Sequence, residues 1–376
     1  MPSVFFYISG HGFGHASRQI EIINQLGSLH AHRGPGKGAA PNMTIVVRTS
    51  APRWLFERTC RVPVAFCAGE CDTGVVQVDS LRLDERATIA RAAAYHEALG
   101  QRADDEAARL RGSEARLVVA DAPPLACVAA DRAGTPSVVV SNFTWDWIYE
   151  EYRECLPAAP GLIPAIRSAY ALAREGWRLP MHGGFNGFSA LRDMPFVARH
   201  SHRDPGEVRR ALGLPPLAPL LLPSFGGYGV QGLDLSTLDC LGDCAVVVLH
   251  RDDDWVPTGH GVYQVSESSM YGQGLRYEDI VRAVDVVVTK PGYGIIADCI
   301  ANGTALLYTS RGRFAEYPVL VSEMPRFLQC GFIDQEALLA GRWREALDKL
   351  SSAARPPERA NTDGALEIAE LILERM

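Results

Sequence analysis

The sequence contains no apolar run near the roughly 20 residues that a membrane-spanning helix requires, so no transmembrane segment is expected. It has no C-x-x-C pair either. Its nine cysteines (60, 67, 71, 127, 155, 240, 244, 299 and 330) are scattered and odd in number. That pattern speaks against a disulfide framework and fits a reducing, cytoplasmic setting. Cys67/Cys71 and Cys240/Cys244 stand four apart with no His or Cys partners at zinc-finger spacing, so no metal site is expected. Positive charge is not in excess: Lys+Arg 37 against Asp+Glu 44 leaves −7. Nucleic acid is therefore not an expected partner. The first apolar run, Val4 to Ser9, has no basic residues before it and stops at glycines. It predicts a buried strand rather than a secretory leader.

What remains is an ordinary globular composition, 47% hydrophobic and 22% charged over 376 residues. That length predicts two domains. Short β-rich runs alternate with helical stretches. Strands are predicted at Val4–Ser9, Met43–Arg48, Val62–Cys67, Leu117–Ala120 and Ser137–Ser141. Helices are predicted from about His15 to Leu29 and from Leu83 to Leu110. The pattern returns after residue 200, with apolar runs at Leu220–Leu222, Ala245–Leu249, Val284–Thr289 and Thr304–Tyr308. Asp204 is placed to cap a helix over Glu207–Leu212, and a last helix is expected over Thr362–Arg375. This order predicts an α/β protein of two Rossmann-like domains, residues 1–200 and 201–376, each a parallel sheet covered on both faces.

Three strand-to-helix junctions are rich in glycine: Gly10-His11-Gly12-Phe13-Gly14-His15, Phe225-Gly226-Gly227-Tyr228-Gly229 and Pro291-Gly292-Tyr293-Gly294. Such loops let a ligand approach the backbone. The helix that follows each one presents free N–H groups, which suit phosphate. The first loop matches neither the dinucleotide fingerprint nor a Walker loop. It carries His11 and His15 instead. A histidine at a helix start beside a cleft can accept a proton near neutral pH. Asp121, ending its strand at the same sheet edge, can orient that imidazole. Both residues also admit structural roles, as a packed histidine and as a helix N-cap. The aromatic segment from Phe143 to Tyr149 can serve as a sugar-stacking platform or as core. Within it Asp146 is the polar candidate, and Phe185-Asn186-Gly187-Phe188 reads as a flexible acceptor-side loop.

Three segments carry a family resemblance: Tyr7 through Arg18, Ser141 through Tyr149, and Lys290 through Gly294. Over nearly the whole chain the sequence resembles GT-B glycosyltransferases. Within them it is most similar to the glycosyltransferase-like amino-terminal region of plant L-arabinokinase and its bacterial relatives. The kinase portion and its phosphate loop have no counterpart, so sugar kinase activity is not implied.

The resemblance implies two Rossmann-like domains facing across a cleft, the first binding acceptor and the second a nucleotide-sugar donor, UDP-linked by expectation. It implies His15 as general base, oriented by Asp121. On the donor side it implies Gly12, Gly14, Ser224, Gly226, Gly227, Tyr228, Lys290, Gly292, Tyr293 and Gly294 around the diphosphate. Arg311 and Arg313 could add positive charge there. Asp298 is implied at the ribose and Glu316 at the sugar. On the acceptor side it implies His11, Asn142, Trp145 and Asp146. At Glu316 the chain lacks the adjacent Asp-Gln pair of plant enzymes, which leaves the sugar open. The expected activity is metal-independent glycosyl transfer, with no cofactor besides the donor and a small molecule or glycan as acceptor. The alternatives are a sugar-nucleotide-binding module without turnover and a nucleotide-sugar epimerase.

Overall fold

A computed structural model of the chain describes residues 2–32, 43–226, 230–251 and 259–376. In the first strand Val4, Phe6 and Ile8 pack into one apolar cluster and Phe5 and Tyr7 into another, so neither face is polar. A strand of that kind is stable only with helices on both sides of its sheet. The amino-terminal lobe supplies them. Its strands are β1 (Ser3–Ile8), β2 (Thr44–Thr49), β3 (Ala65–Ala68), the short pair β4 (Val76–Gln77) and β5 (Leu83–Asp84), then β6 (Ala115–Asp121), β7 (Ser137–Phe143), β8 (Glu175–Gly183) and β9 (Leu191–Asp193). Seven of these form one parallel sheet in the order β3-β2-β1-β6-β7-β8-β9, while β4 and β5 make an antiparallel pair apart from it.

The second lobe carries β10 (Leu220–Pro223), β11 (Ala245–His250), β12 (Val262–Ser266), β13 (Val286–Thr289), β14 (Ala305–Tyr308) and β15 (Cys330–Phe332). They form a parallel sheet in the order β12-β11-β10-β13-β14-β15. In both sheets the order reverses beside the first strand, at β1/β6 and at β10/β13. Loops leaving the strands there diverge and open a crevice, which is where open α/β sheets bind ligands. The glycine loops after β1, β10 and β13 all leave at these reversals.

Four helices matter to the site: α1 (Gly14–His32), α2 (Pro124–Ala133), α3 (Tyr293–Asn302) and α4 (Gly364–Arg375). The last corrects the expected partition at residue 200. Ala365, Ile368, Ala369 and Ile372 of α4 are buried with Val4, Ile20 and Ile23 of the first lobe. Arg375 closes the contact by donating to Glu175 at 2.6 Å. The apolar stripe of α4 finds its partner on α1, so the chain crosses between lobes twice. The two crossings are tied where Phe196 N donates to Asn361 O at 3.1 Å and Gly364 N to Phe196 O at 3.0 Å.

Other departures have local causes. The helix expected over 83–110 is two, Glu85–Glu97 and Leu99–Gly112, entered from β5 with Asp84 capping Ala87 N at 2.8 Å. Phe185 is buried, and its ring meets Phe188 at 5.5 Å. Asp204 does cap its helix, accepting from Glu207 N at 3.0 Å. Among the described residues no helix is long and apolar enough to cross a membrane, and all nine cysteines are free.

Candidate active site

The crevice between the lobes is a cleft of about 590 Å³. Its amino-terminal wall begins where β1 ends. Gly12 has φ +72°, a left-handed turn that favours glycine and swings the chain into α1. His15 follows in the first helical turn, 6% exposed and lining the cleft. Its Nδ1 lies 2.8 Å from Asp121 Oδ1 at the end of β6. Asp121 is fully buried, yet four donors converge on it. Besides His15 these are Arg18 Nε at 2.5 Å on Oδ2, Arg18 Nη2 on Oδ1, and Gln19 Nε2 at 2.9 Å on Oδ2. Burial alone would raise this carboxyl, but Arg18 and then His15 hold it well below the usual carboxylate range. Arg18 Nη2 also lies 2.9 Å from His15 Nδ1, so Nδ1 faces both a carboxylate and a donor. The tautomer that donates Nδ1–H to the ionised Asp121 is the one that leaves Nε2 as an acceptor. The His15 ring stands edge-on to Phe143, centroids 5.4 Å apart.

Arg18 is the residue that sequence reasoning missed. It lies one helical turn after His15, on the same face, and spacing from His15 was the available signal. Besides Asp121 it donates to Asn142 Oδ1 and, at 3.3 Å, to Ser141 Oγ. It thereby ties α1 to the ends of β6 and β7. Asp72 was missed too, because it leaves an irregular segment with no motif. It is buried, accepting from Ser9 Oγ at 2.9 Å and Trp145 Nε1 at 2.8 Å. Burial pushes its pKa up to about 6 against the opposing pull of His15 and these hydrogen bonds.

The expected acceptor residues divide. His11 and Trp145 line the cleft. Burial, and then the neighbouring His15, drop the His11 imidazole to about 3, so it stays neutral. Asn142 and Asp146 do not reach the cleft. Asn142 spends both ends of its amide, accepting from Arg18 and donating to Pro180 O at 2.6 Å. Asp146 is buried on the far side of its short helix, where it accepts from Arg167 Nε at 2.9 Å. The aromatic segment is chiefly core: Trp145 and Tyr149 are buried and stack at 5.5 Å.

The opposite wall is the carboxyl edge of β10, β13 and β14. Ser224, Gly226, Lys290, Gly292, Tyr293, Gly294, Asp298 and Glu316 all line the cleft, as do Gly12 and Gly14 across it. Gly227 and Tyr228 lie outside the described residues. The starts of α1 and α3 face one another; a Cβ on Gly294 would lie 3.8 Å from Gly14 Cα. Two sets of unpaired helix N–H groups thus converge on one point between the lobes. Among the described residues the Lys290 ammonium makes no hydrogen bond or salt bridge, and burial, then Arg311, push its pKa down to about 7 against the pull of Glu316.

Asp298 lines the cleft and is held there by an ion pair. Arg199, from the segment between lobes, holds both its carboxylate oxygens: backbone N at 3.0 Å, side-chain Nε at 3.1 Å, and Nη2. Ser224 Oγ pairs with Tyr277 Oη at 2.6 Å. Among the described residues no group of three His, Cys, Asp or Glu side chains is placed to hold a metal ion.

Two Rossmann-like lobes with this strand order, meeting at a cleft, are the GT-B fold. Solved structures share it across the whole chain. The kitacinnamycin glycosyltransferase superposes with a TM-score of 0.64 at 16% identity, covering 100% of this chain and 99% of that one. A Phytolacca americana glycosyltransferase, UGT2, solved with UDP-2-fluoro-glucose and pterostilbene, superposes at 0.58 with 12% identity, covering 100% and 94%. In sequence the chain is similar to L-arabinokinase of Arabidopsis thaliana, 30% identical over 384 residues that take in 98% of this chain and 34% of the relative. The chain thus spans about a third of the length of that protein. No family model matches the chain.

Proposed function

We propose that this protein is a glycosyltransferase that moves a sugar from a nucleotide-sugar donor, UDP-linked by preference, to an acceptor hydroxyl without a metal ion. The observation that carries the proposal is the opposition of two chemistries across one cleft. An imidazole backed by an ionised carboxylate stands on one wall. An unpartnered lysine and a helix N-terminus stand on the other.

In that geometry the acceptor O–H gives its proton to His15 Nε2 as its oxygen bonds to the sugar C1. The bond from C1 to the diphosphate oxygen breaks, and the leaving diphosphate takes the electron pair. Lys290 and the N–H groups opening α3 stabilise the negative charge that develops there. General base catalysis of this kind contributes about 10²–10⁴-fold. The UDP-sugar in the Phytolacca americana structure supports the donor class by analogy of fold.

One observation favours a binding module instead. Arg18 already neutralises Asp121, so the carboxylate has less charge left to stabilise an imidazolium. Turnover distinguishes the two. The purified chain is incubated with UDP-sugars and a panel of hydroxyl acceptors, and released UDP is measured. Glycosyl transfer that drops at least about 10²-fold in His15→Ala, with UDP affinity retained, supports the enzyme. UDP binding with no transfer to any acceptor supports the module.

A further inference from the structure

Beside the opening of α3 lies a buried cation whose hydrogen bonding is incomplete. Arg311, in the loop after β14, is 8% exposed and lines the cleft. Its guanidinium carbon sits 3.2 Å from the centroid of the Phe314 ring. Its Nη1 forms a salt bridge to Glu316 Oε1 at 3.3 Å and donates to Pro291 O at 3.3 Å. Its Nε is buried without a partner, and so is the Tyr293 hydroxyl, which belongs to a residue lining the same cleft. Buried donors are almost always satisfied, and an arginine fork left half-used marks a ligand position or a cost.

Position selects the ligand group. Pro291 directly precedes Gly292, the residue that caps α3. Arg311 is therefore one hydrogen bond away from the turn assigned above to the diphosphate. The sugar is joined to that diphosphate, so it lies beside Arg311. The diphosphate has its own partners in Lys290 and the α3 N–H groups, while Glu316 can accept from sugar hydroxyls. The unused Nε edge of the guanidinium matches a planar carboxylate, which Nε–H and a neighbouring Nη–H can hold through two parallel hydrogen bonds. A neutral hexose offers no anion at that place.

We infer that the sugar carried by the donor is a uronic acid, whose carboxylate is bound by Arg311. The inference rests on the nucleotide-sugar reading above. Its test is calorimetry on the full chain with two matched pairs, UDP-glucuronate against UDP-glucose and UDP-galacturonate against UDP-galactose, with UDP alone as reference. One uronate should bind on the order of tenfold or more tighter than its hexose. Arg311→Gln should erase that difference, and Arg311→Lys should keep part of it. Circular dichroism melting of both variants verifies that they fold.

Equal affinity for uronate and hexose in both pairs overturns the inference. So does an Arg311→Gln variant that loses affinity for UDP alone as much as for the uronate, since the arginine then serves the phosphates. If UDP and all four sugar nucleotides fail to bind, the nucleotide-sugar reading falls and takes this inference with it. If UDP and the hexoses bind without a preference for carboxylate, that reading stands and only the inference falls.

Discussion

Replacing Asp121 with Asn tests how the buried cluster on the amino-terminal wall is held. The side chain is fully buried and its two oxygens receive Arg18, His15 and Gln19. An amide has one acceptor oxygen, and its NH₂ must face at least one of these donors. Arg18, itself 8% exposed, loses its counter-charge. Breaking one side of a buried pair costs about 3–5 kcal/mol. Equilibrium urea unfolding reads that loss. Tryptophan fluorescence is weighted towards that lobe, because Trp54, Trp145, Trp147 and Trp177, four of the six tryptophans, belong to it, while Trp343 is buried in the other. The double variant Arg18→Gln/Asp121→Asn removes both charges, so it should recover a large part of the loss, with a coupling of about 1–3 kcal/mol.

The pH dependence of the same pair has a definite sign. The Asp121 carboxyl is depressed in the folded state, so its contribution is fully present above its unfolded value, about 3.9. That contribution disappears as pH falls through the lower, folded value. The gap between wild type and Asp121→Asn should thus be constant from pH 7 to about 5 and narrow below about 4. Turnover should fall on the order of 10⁴-fold, because an amide NH₂ facing Nδ1 selects the tautomer with its proton on Nε2, which cannot act as base. A loss of stability below about 1 kcal/mol, or strict additivity in the double variant, would refute the buried ion pair.

Burial lowers the pKa of the Lys290 ammonium to about 7. UDP affinity should therefore decline as pH rises through that value, and Lys290→Ala should flatten the profile while weakening UDP by about 10–100-fold, read by calorimetry. Asp298→Ala releases Arg199 from the segment between lobes. It should lower unfolding free energy by about 2–3 kcal/mol, and a variant with unchanged stability but lost UDP affinity would assign Asp298 to the ribose. Millimolar EDTA should leave glycosyl transfer intact, and strict dependence on an added divalent cation would contradict charge stabilisation by Lys290 and α3 alone.

The sequence was most legible where a local signal and a topological rule act together. Val4 to Ser9 reads as a buried strand because it has no polar face, and the glycines after it read as a turn into a helix. Parallel order then puts such turns on one sheet edge, which is why His15 and Asp121, 106 residues apart, could be paired from the sequence. Arg18, Asp298 and Asn142 resisted for one shared reason: each side chain is decided by what lies opposite it. Nothing in the spacing of Asp298 says that Arg199 will arrive from the chain between lobes and occupy both its oxygens. Nothing in Asn142 says that Arg18 will claim its carbonyl before any acceptor can. The final helix obeys the same logic on a larger scale. Its stripe of Ala365, Ile368, Ala369 and Ile372 declares only that a partner exists, and two apolar lobes compete for it. Packing on α1 resolves that competition and makes the cleft a hinge of two strands of chain rather than one.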